Sequence, residues 1–409
     1  MAPSDRDGDH TLSGTHLSTR LLHSDNEFAK MDPAVAPNIS VTTTYSPSNA
    51  LDFKAGNEPQ PGGDDPHVYS RFTQPNVSRV EKVLGDLCNG YALTYRSGLA
   101  AGYAALVHYN PKRVAITLGY HGLHAAVALY RRGAPIDVVG IDDPLQSGDL
   151  LWVETPLNPS GEARNIKHYA DRAHAAGAVM VVDATFAPPP LQDPFLWGAD
   201  CVMHSASKYL GGHSDVLGGV LVVKSAKEWT ELSDDRGVLG NTQGSLETFL
   251  LLRSLRTHEL RVRRQSATAT ALALWLNKLT TVPAGQQWDG VPGGIVTQVM
   301  HSSVQTEPFV REQLSGGHSP CFGILLAQVE WARVLPHQVN FFTSATSLGS
   351  VESLIEQRVI SDSSADPHII RISVGLEDLE VRRFTRCTSP LCCYLTWSNL
   401  TDINAGLYF

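Results

Sequence analysis

The sequence predicts an α/β domain with a mostly parallel sheet, followed by a smaller C-terminal α+β domain. Two changes of texture carry that expectation. From about residue 91 to 225, short apolar runs alternate with longer helical stretches, as in strand–helix–strand units packed on both sheet faces. From about residue 245, a leucine-rich helical region gives way to isolated strand-like runs. The content, 42% hydrophobic and 18% charged, is that of an ordinary globular chain with a sizeable core. Its length of 409 residues allows roughly two or three domains.

Residues 1–60 read as an N-terminal arm. Short polar stretches dominate, and Pro33, Pro37 and Pro47 break any long helix. Residues 57–66 form a Pro/Gly/Asp-rich loop. Residues 61–245 form the α/β domain. Val77, Val80, Val83, Leu84 and Leu87 share one helical face, and Gly90 ends that helix. Strands are expected at 91–95, 113–118, 136–140, 150–153, 178–182, 201–204 and 219–223. Helices are expected at about 98–108, 123–131 and 166–176. Residues 246–380 form the C-terminal domain: one long helical region over 246–279, a Pro/Gly-rich stretch at 283–294, and strands at 324–329 and 369–374. Residues 381–409 are an atypical tail with Cys387, Cys392, Cys393 and little helical period.

Composition excludes several classes. A net charge of −9 argues against a general nucleic-acid or anionic-membrane binder. No apolar run reaches the roughly 18 residues of a membrane span. Residues 1–14 lack the apolar core of a signal peptide. Six scattered or tail-crowded cysteines make no disulfide framework, so a reducing, cytoplasmic setting is expected.

In a parallel sheet, ligands sit at the carboxyl ends of the strands. Just there lie Ser97-Gly98, Gly119-Tyr120, Glu154-Thr155, Asp183 and Ser205-Ala206-Ser207-Lys208, one set for one pocket. A lysine, a strand-end aspartate and a helix start with a glycine suggest pyridoxal 5′-phosphate (PLP). Lysine forms an imine with the aldehyde, a carboxylate keeps the ring nitrogen protonated, and a helix N-terminus takes the phosphate. Taken singly, Asp183 could be a turn cap, Tyr120 a core or surface residue, and Arg371 a structural ion pair. His121, His124, His204 and His213 have no tight metal-ligand spacing, so no metal is expected. The basic run Arg253, Arg256, Arg261, Arg263, Arg264 reads as a solvated or subunit-contact face.

Joined in order, the motifs resemble the cystathionine γ-synthase/γ-lyase family of trans-sulfuration enzymes, which act in Cys/Met metabolism with PLP. They are Tyr69-Ser70-Arg71, Ser97-Gly98-Leu99-Ala100-Ala101, Val153-Glu154-Thr155-Pro156-Leu157-Asn158-Pro159, Val182-Asp183-Ala184-Thr185, His204-Ser205-Ala206-Ser207-Lys208-Tyr209, Ser347-Leu348-Gly349 and Arg371-Ile372-Ser373-Val374-Gly375. The resemblance implies the fold-type I (aspartate aminotransferase-like) architecture and a γ-substitution on an O-acyl-homoserine-like amino acid. Elimination to a ketoacid and ammonia, and a PLP-fold protein without activity, are the alternatives. It makes Lys208 the Schiff-base lysine and Asp183 the partner of the ring nitrogen, with Thr185 beside it. Gly98 and Leu99, with Ser97, Ser205 and Ser207, would hold the phosphate. Tyr120 would stack on the ring and aid proton transfer, Asn158 would contact the cofactor's phenolic oxygen or the substrate, and Ser347 and Arg371 would meet the substrate. Tyr69 and Arg71 would reach a neighbouring subunit's cofactor, implying dimers that share active sites and pair into tetramers.

Four departures bear on the second substrate. Thr346 stands where cystathionine-handling members carry a glutamate that attracts the distal ammonium. Tyr120 lies in Gly119-Tyr120-His121-Gly122 rather than Tyr-Gly-Gly-Thr. The stretch from Glu356-Gln357 to Arg371 is short, and Arg96 replaces a small polar residue. Together they open the way to a non-cysteine thiol or a carbon nucleophile.

Overall fold

The computed structural model describes residues 12, 14–30, 34–46 and 67–378. The 57–66 loop and the 381–409 tail, with its three cysteines, lie outside the described residues.

A seven-stranded sheet forms the centre, built from β1 (Tyr91–Tyr95), β2 (Arg113–Ala115), β3 (Asp137–Val139), β4 (Asp149–Glu154), β5 (Val179–Asp183), β6 (Cys201–Ser205) and β7 (Gly219–Val223). Their order is β1-β7-β6-β5-β4-β2-β3, and only β7 runs antiparallel to its neighbours. Helices cover both faces: α1 (Leu17–His23), α2 (Pro75–Cys88), α3 (Gly98–Tyr109), α4 (His121–Tyr130), α5 (Ile166–Ala176), α6 (Ala226–Leu239) and α7 (Ser245–Leu255); α8 (His258–Leu279) follows and packs on a second sheet.

The strands' period of two explains the two layers. Leu151, Val153, Val182 and Val222 pack with residues of α2, α5 and α7, whereas Leu150, Trp152, Val181 and Leu221 pack with α3, α4 and α6. Every residue of β4 is buried, as a central parallel strand requires. Each fully buried Leu, Val or Ile side chain contributes about 1.5–3 kcal/mol through its removal from water.

A hairpin, β8 (Gln287–Trp288) with β9 (Val291–Pro292), precedes the second sheet. That sheet holds β10 (Val296–Met300), β11 (Cys321–Leu326), β12 (Thr343–Ser344), β13 (Leu354–Gln357) and β14 (Ile369–Ser373), in the order β10-β11-β14-β13-β12. Leu272, Trp275, Leu276 and Leu279 of α8 cover it against Phe322, Ile324, Ile370 and Ile372. A fourth cluster, including Phe186, Tyr209, Val262, Cys321 and Leu348, packs between the two sheets.

The structure corrects several expectations. The 246–279 stretch is two helices, because the chain leaves helical geometry at Thr257 (φ −114°, ψ 10°). Helix α6 was not expected, since its buried stripe mixes Trp229 and Leu232 with Ser233, Arg236 and Gly237 and has little apolar period. Helix α4 begins at His121 rather than at residue 123, with Tyr120 in the N-cap position. Asn89 in the left-handed region (φ 55°), not Gly90, ends α2. The stretch read as an arm contains α1, whose Leu21 is buried in the main core. The basic run is not one solvated face: Arg256 pairs with Asp25 at 2.7 Å, and the buried Arg261 donates to the carbonyls of Tyr209 and Ser254.

Candidate active site

A cavity of about 400 Å³ opens where the carboxyl ends of β4, β5 and β6 meet the second sheet. Lys208 lies in the turn after β6, with its backbone N–H bonded to the Ser205 carbonyl. Its Nζ donates to Ser347 Oγ at 2.8 Å. Burial draws the amine down to about 8, with the Arg371 cation adding to the shift, so the neutral nucleophilic form is accessible near neutral pH. The second sheet supplies Ser347 by close approach. A Cβ on Gly349 would come within 2.6 Å of Tyr209 N and 2.8 Å of Lys208 C, so only glycine lets this loop press on the lysine's backbone.

Asp183 ends β5. Its Oδ1 accepts from Thr185 N at 3.0 Å and Thr185 Oγ1 at 2.6 Å, leaving Oδ2 with capacity for another donor. Thr185 Oγ1 in turn accepts from Ser205 N at 2.9 Å, tying β5 to β6. Burial raises the Asp183 carboxyl, and the Thr185 bonds oppose that shift.

At the start of α3, the Ser97 hydroxyl caps the Ala100 N–H at 3.0 Å. Gly98 and Leu99 supply the first N–H groups of the helix, which have no acceptor within it, and both residues line the cavity beside Ser205 and Ser207. A Cβ on Gly98 would lie 3.0 Å from Ser205 Oγ, so the two segments meet at that glycine. Ser207 Oγ exchanges hydrogen bonds with Gly218 across the turn.

The far wall is a chain of contacts. Glu154, at the end of β4, accepts from Tyr120 N and Asn158 N, each at 2.7 Å. Burial raises its carboxyl to about 8, with the Asp183 charge adding and the two N–H groups opposing. Asn158 Oδ1 accepts from Arg371 Nη1 at 3.1 Å, and Arg371 Nη2 donates to the Ser347 carbonyl at 2.9 Å. Arg371 Nη2 also meets Glu356 Oε1 at 2.7 Å. The ion-pair alternative for Arg371 is thus realised, inside the same cavity.

The cavity brings together Ser97, Gly98, Leu99, Tyr120, Asn158, Asp183, Thr185, Ser205, Ser207, Lys208, Ser347 and Arg371, and is also lined by Thr346. Tyr69 and Arg71 are not among its lining residues. Tyr69 bridges to Thr44, and Arg71 donates to the Gly237 carbonyl at 2.8 Å over the Phe72 ring. Sequence reasoning placed Glu154 at the strand ends of the pocket without giving it a role, and left His121 and Arg358 out of the site, although all three line it. Glu154 had a usable signal, its place at a strand end. Arg358 and Glu356 had none, because neither the strand that carries Glu356 nor the short turn after it that carries Arg358 was foreseen.

The donor set fits PLP by its chemistry. A helix start with free N–H groups suits a phosphate, a buried carboxylate with one unclaimed oxygen suits a ring N–H, and a lysine of lowered basicity suits an aldehyde. The model of the Cys/Met metabolism PLP-dependent enzyme family matches residues 18–382. The chain belongs to this family. It is 28% identical over 390 residues to the cystathionine gamma-lyase of Dictyostelium discoideum, covering 89% of this chain and 94% of that protein. It is 28% identical over 382 residues to the cystathionine beta-lyase of Coxiella burnetii, covering 90% and 93%. The crystal structure of cystathionine gamma synthase from Xanthomonas oryzae pv. oryzae superposes with a TM-score of 0.76 at 26% identity, covering 89% of this chain and 95% of that one. The architecture is therefore that of fold-type I PLP enzymes, and PLP is the cofactor of this trans-sulfuration family.

Proposed function

We propose that this enzyme catalyses γ-substitution on an O-acyl-homoserine-like amino acid. The observation that carries the proposal is the meeting of Lys208, Asp183 and Arg371 in one cavity that also holds Thr346. Bound PLP supplies a ring that spreads the negative charge developing at the substrate Cα.

The chain's residues then divide the work. The Gly98 and Leu99 amides, with the Ser97, Ser205 and Ser207 hydroxyls, hold the phosphate. Asp183, oriented by Thr185, keeps the ring nitrogen protonated, and Tyr120 covers the ring face. Asn158 contacts the ring hydroxyl, and Arg371, next to Ser347, holds the substrate α-carboxylate with its planar fork. Lys208 removes the Cα proton. The same amine, once it has passed that proton on, takes a Cβ proton; the γ-acyloxy group departs as a carboxylate with the Cγ–O bonding electrons, the nucleophile adds at Cγ as it gives up its own proton, and protons return to Cβ and Cα. Tyr120 lies at the same wall and assists proton transfer. Tyr69 and Arg71 serve the cofactor of a neighbouring subunit, in cytoplasmic dimers that pair into tetramers. This division accounts for their absence from their own chain's cavity.

Thr346 favours a nucleophile without a second amino-acid head group, because no carboxylate at that position faces a distal ammonium. A thiol other than cysteine, or a carbon acid, meets that condition. Elimination to a ketoacid and ammonia is the second reading, favoured by the lyase names of the relatives at 28% identity. Incubating the PLP-loaded protein with O-acetyl-homoserine, alone and with a panel of thiols and carbon acids, separates the two by product mass. Substituted amino acids support the proposal. Ketoacid as the sole product with every nucleophile would sink it in favour of the lyase reading, and no product at all would favour an inactive protein.

A further inference from the structure

We propose that Arg358 is a positioning residue that keeps the Arg371 clamp cationic, acting through Glu356. The inference rests on the reading above that Arg371 binds the substrate α-carboxylate. Glu356 and Arg371 face each other directly across β13 and β14. They touch at 2.7 Å, and both are buried, at 5% and 4% exposure. A carboxylate already seated on a buried guanidinium competes with any carboxylate that arrives from solvent. The pair taken alone is neutral and offers an incoming anion no net attraction.

Arg358 changes that count. Its Nη1 shares the same Glu356 Oε1 at 3.1 Å, and its side chain is only 3% exposed. Two guanidinium groups around one carboxylate carry one net positive charge, the complement of a substrate carboxylate. The rest of Arg358 is held by its own short turn, where Ser361 Oγ accepts from Nη1 at 2.9 Å and Asp362 Oδ2 lies 3.6 Å from Nη2. Asp362 is the more solvated of these acids, at 18% side-chain exposure, so water weakens its claim on the guanidinium. His121 Nδ1, on the Tyr120 wall, lies 3.5 Å from Nη2. Glu356 Oε2 and Arg358 Nε are buried and have no hydrogen-bond partner among the described residues. The triad therefore has bonding capacity to redistribute when a carboxylate enters.

The test measures the dissociation constant of L-norvaline, which carries the α-carboxylate but no γ-leaving group, on the PLP-loaded protein. KM and kcat for O-acetyl-homoserine are measured alongside. Arg358→Gln raises the norvaline constant about tenfold, with a larger effect on KM than on kcat. Glu356→Gln lowers it several-fold. The double variant returns toward the wild-type value, because Arg371 again has a net charge to offer. A double variant as weak as Arg358→Gln, or a Glu356→Gln variant that binds more weakly than wild type, would overturn the inference. Should Arg358→Gln not fold, Glu356→Gln and the double variant decide by the same criteria. Arg371→Gln is the control: unchanged norvaline binding there overturns the clamp reading and this inference with it. Weakened binding there without the Arg358 pattern overturns the inference alone.

Discussion

The two ends of the cavity are built on different principles. The end formed by α3, β5 and β6 uses residues at the tips of adjacent elements: Ser97 to Leu99, Asp183 with Thr185, and Ser205 to Lys208. Its contacts are short-range and mostly hydrogen bonds to backbone or hydroxyl groups. The opposite end joins Asn158, from the loop after β4, to Ser347, Glu356, Arg358 and Arg371 of the second sheet. It is a buried charge network spanning more than 200 residues of chain, as in the Arg371–Asn158 bond with its separation of 213. Strand-end geometry is common to the fold, so the first end suits the conserved demands of a cofactor. A charge network can be retuned by single substitutions, so the proposed function assigns substrate choice to the second end.

Substitutions can break that contrast or sharpen it. Lys208 belongs to both ends, since its backbone is in the β6 turn and its amine is on Ser347. Lys208→Ala should lower turnover by about 1,000-fold or more and abolish the near-visible absorbance of the loaded protein. Full turnover in that variant would remove the lysine from the mechanism. Arg371→Gln touches only the substrate end. It should raise KM roughly 100-fold while PLP affinity, read by equilibrium dialysis, stays near wild type. A parallel loss of PLP affinity would mean that the two ends are not separable.

Thr346→Glu supplies a carboxylate at the cavity wall. It should raise kcat/KM for cystathionine about tenfold relative to O-acetyl-homoserine. An unchanged ratio would show that this position does not set the second substrate. The smallest effect concerns Glu154, the hinge between the two ends. Its carboxyl is raised to about 8 in the folded protein, so between its unfolded value and pH 8 the folded state binds more protons than the unfolded one. Stability of the PLP-free protein should therefore fall as pH rises through this window. The buried His204, His258 and His301, lowered to about 4, 3 and 3, act in the opposite sense, but only below about pH 6.5. Lys208, lowered to about 8, acts above that value. Between pH 6.5 and 8 denaturant titrations should show the decline in wild type and a flatter profile in Glu154→Gln. Equal slopes would place the titration elsewhere.

The first end was legible in the sequence because a buried parallel strand is a continuous apolar run, and the polar residue that stops it marks the pocket. Asp183 after Val179–Val182 follows that rule; Ser205 to Lys208 come after the apolar Cys201–Met203 and one buried polar residue, His204. Helix α6 and the break at Thr257 escaped because a half-polar buried stripe and a bend without Gly or Pro leave no periodic trace. Tyr69 and Arg71 carry a recognisable motif, but within one chain they contact Thr44, Gly237 and Phe72 rather than lining the cavity.

The sequence by itself determined the α/β order, the strand-end residues and the family's cofactor, since these follow from local periodicity and contiguous motifs. Only the tertiary structure decided how Arg371 is held. Register alone sets Glu356 opposite Arg371, and a one-residue slip of β13 would turn that carboxylate to the other face of the sheet. Arg358 reaches the same oxygen only because the turn after β13 folds back over it. Neither relation is written in the spacing of the residues, because both depend on which strands become neighbours.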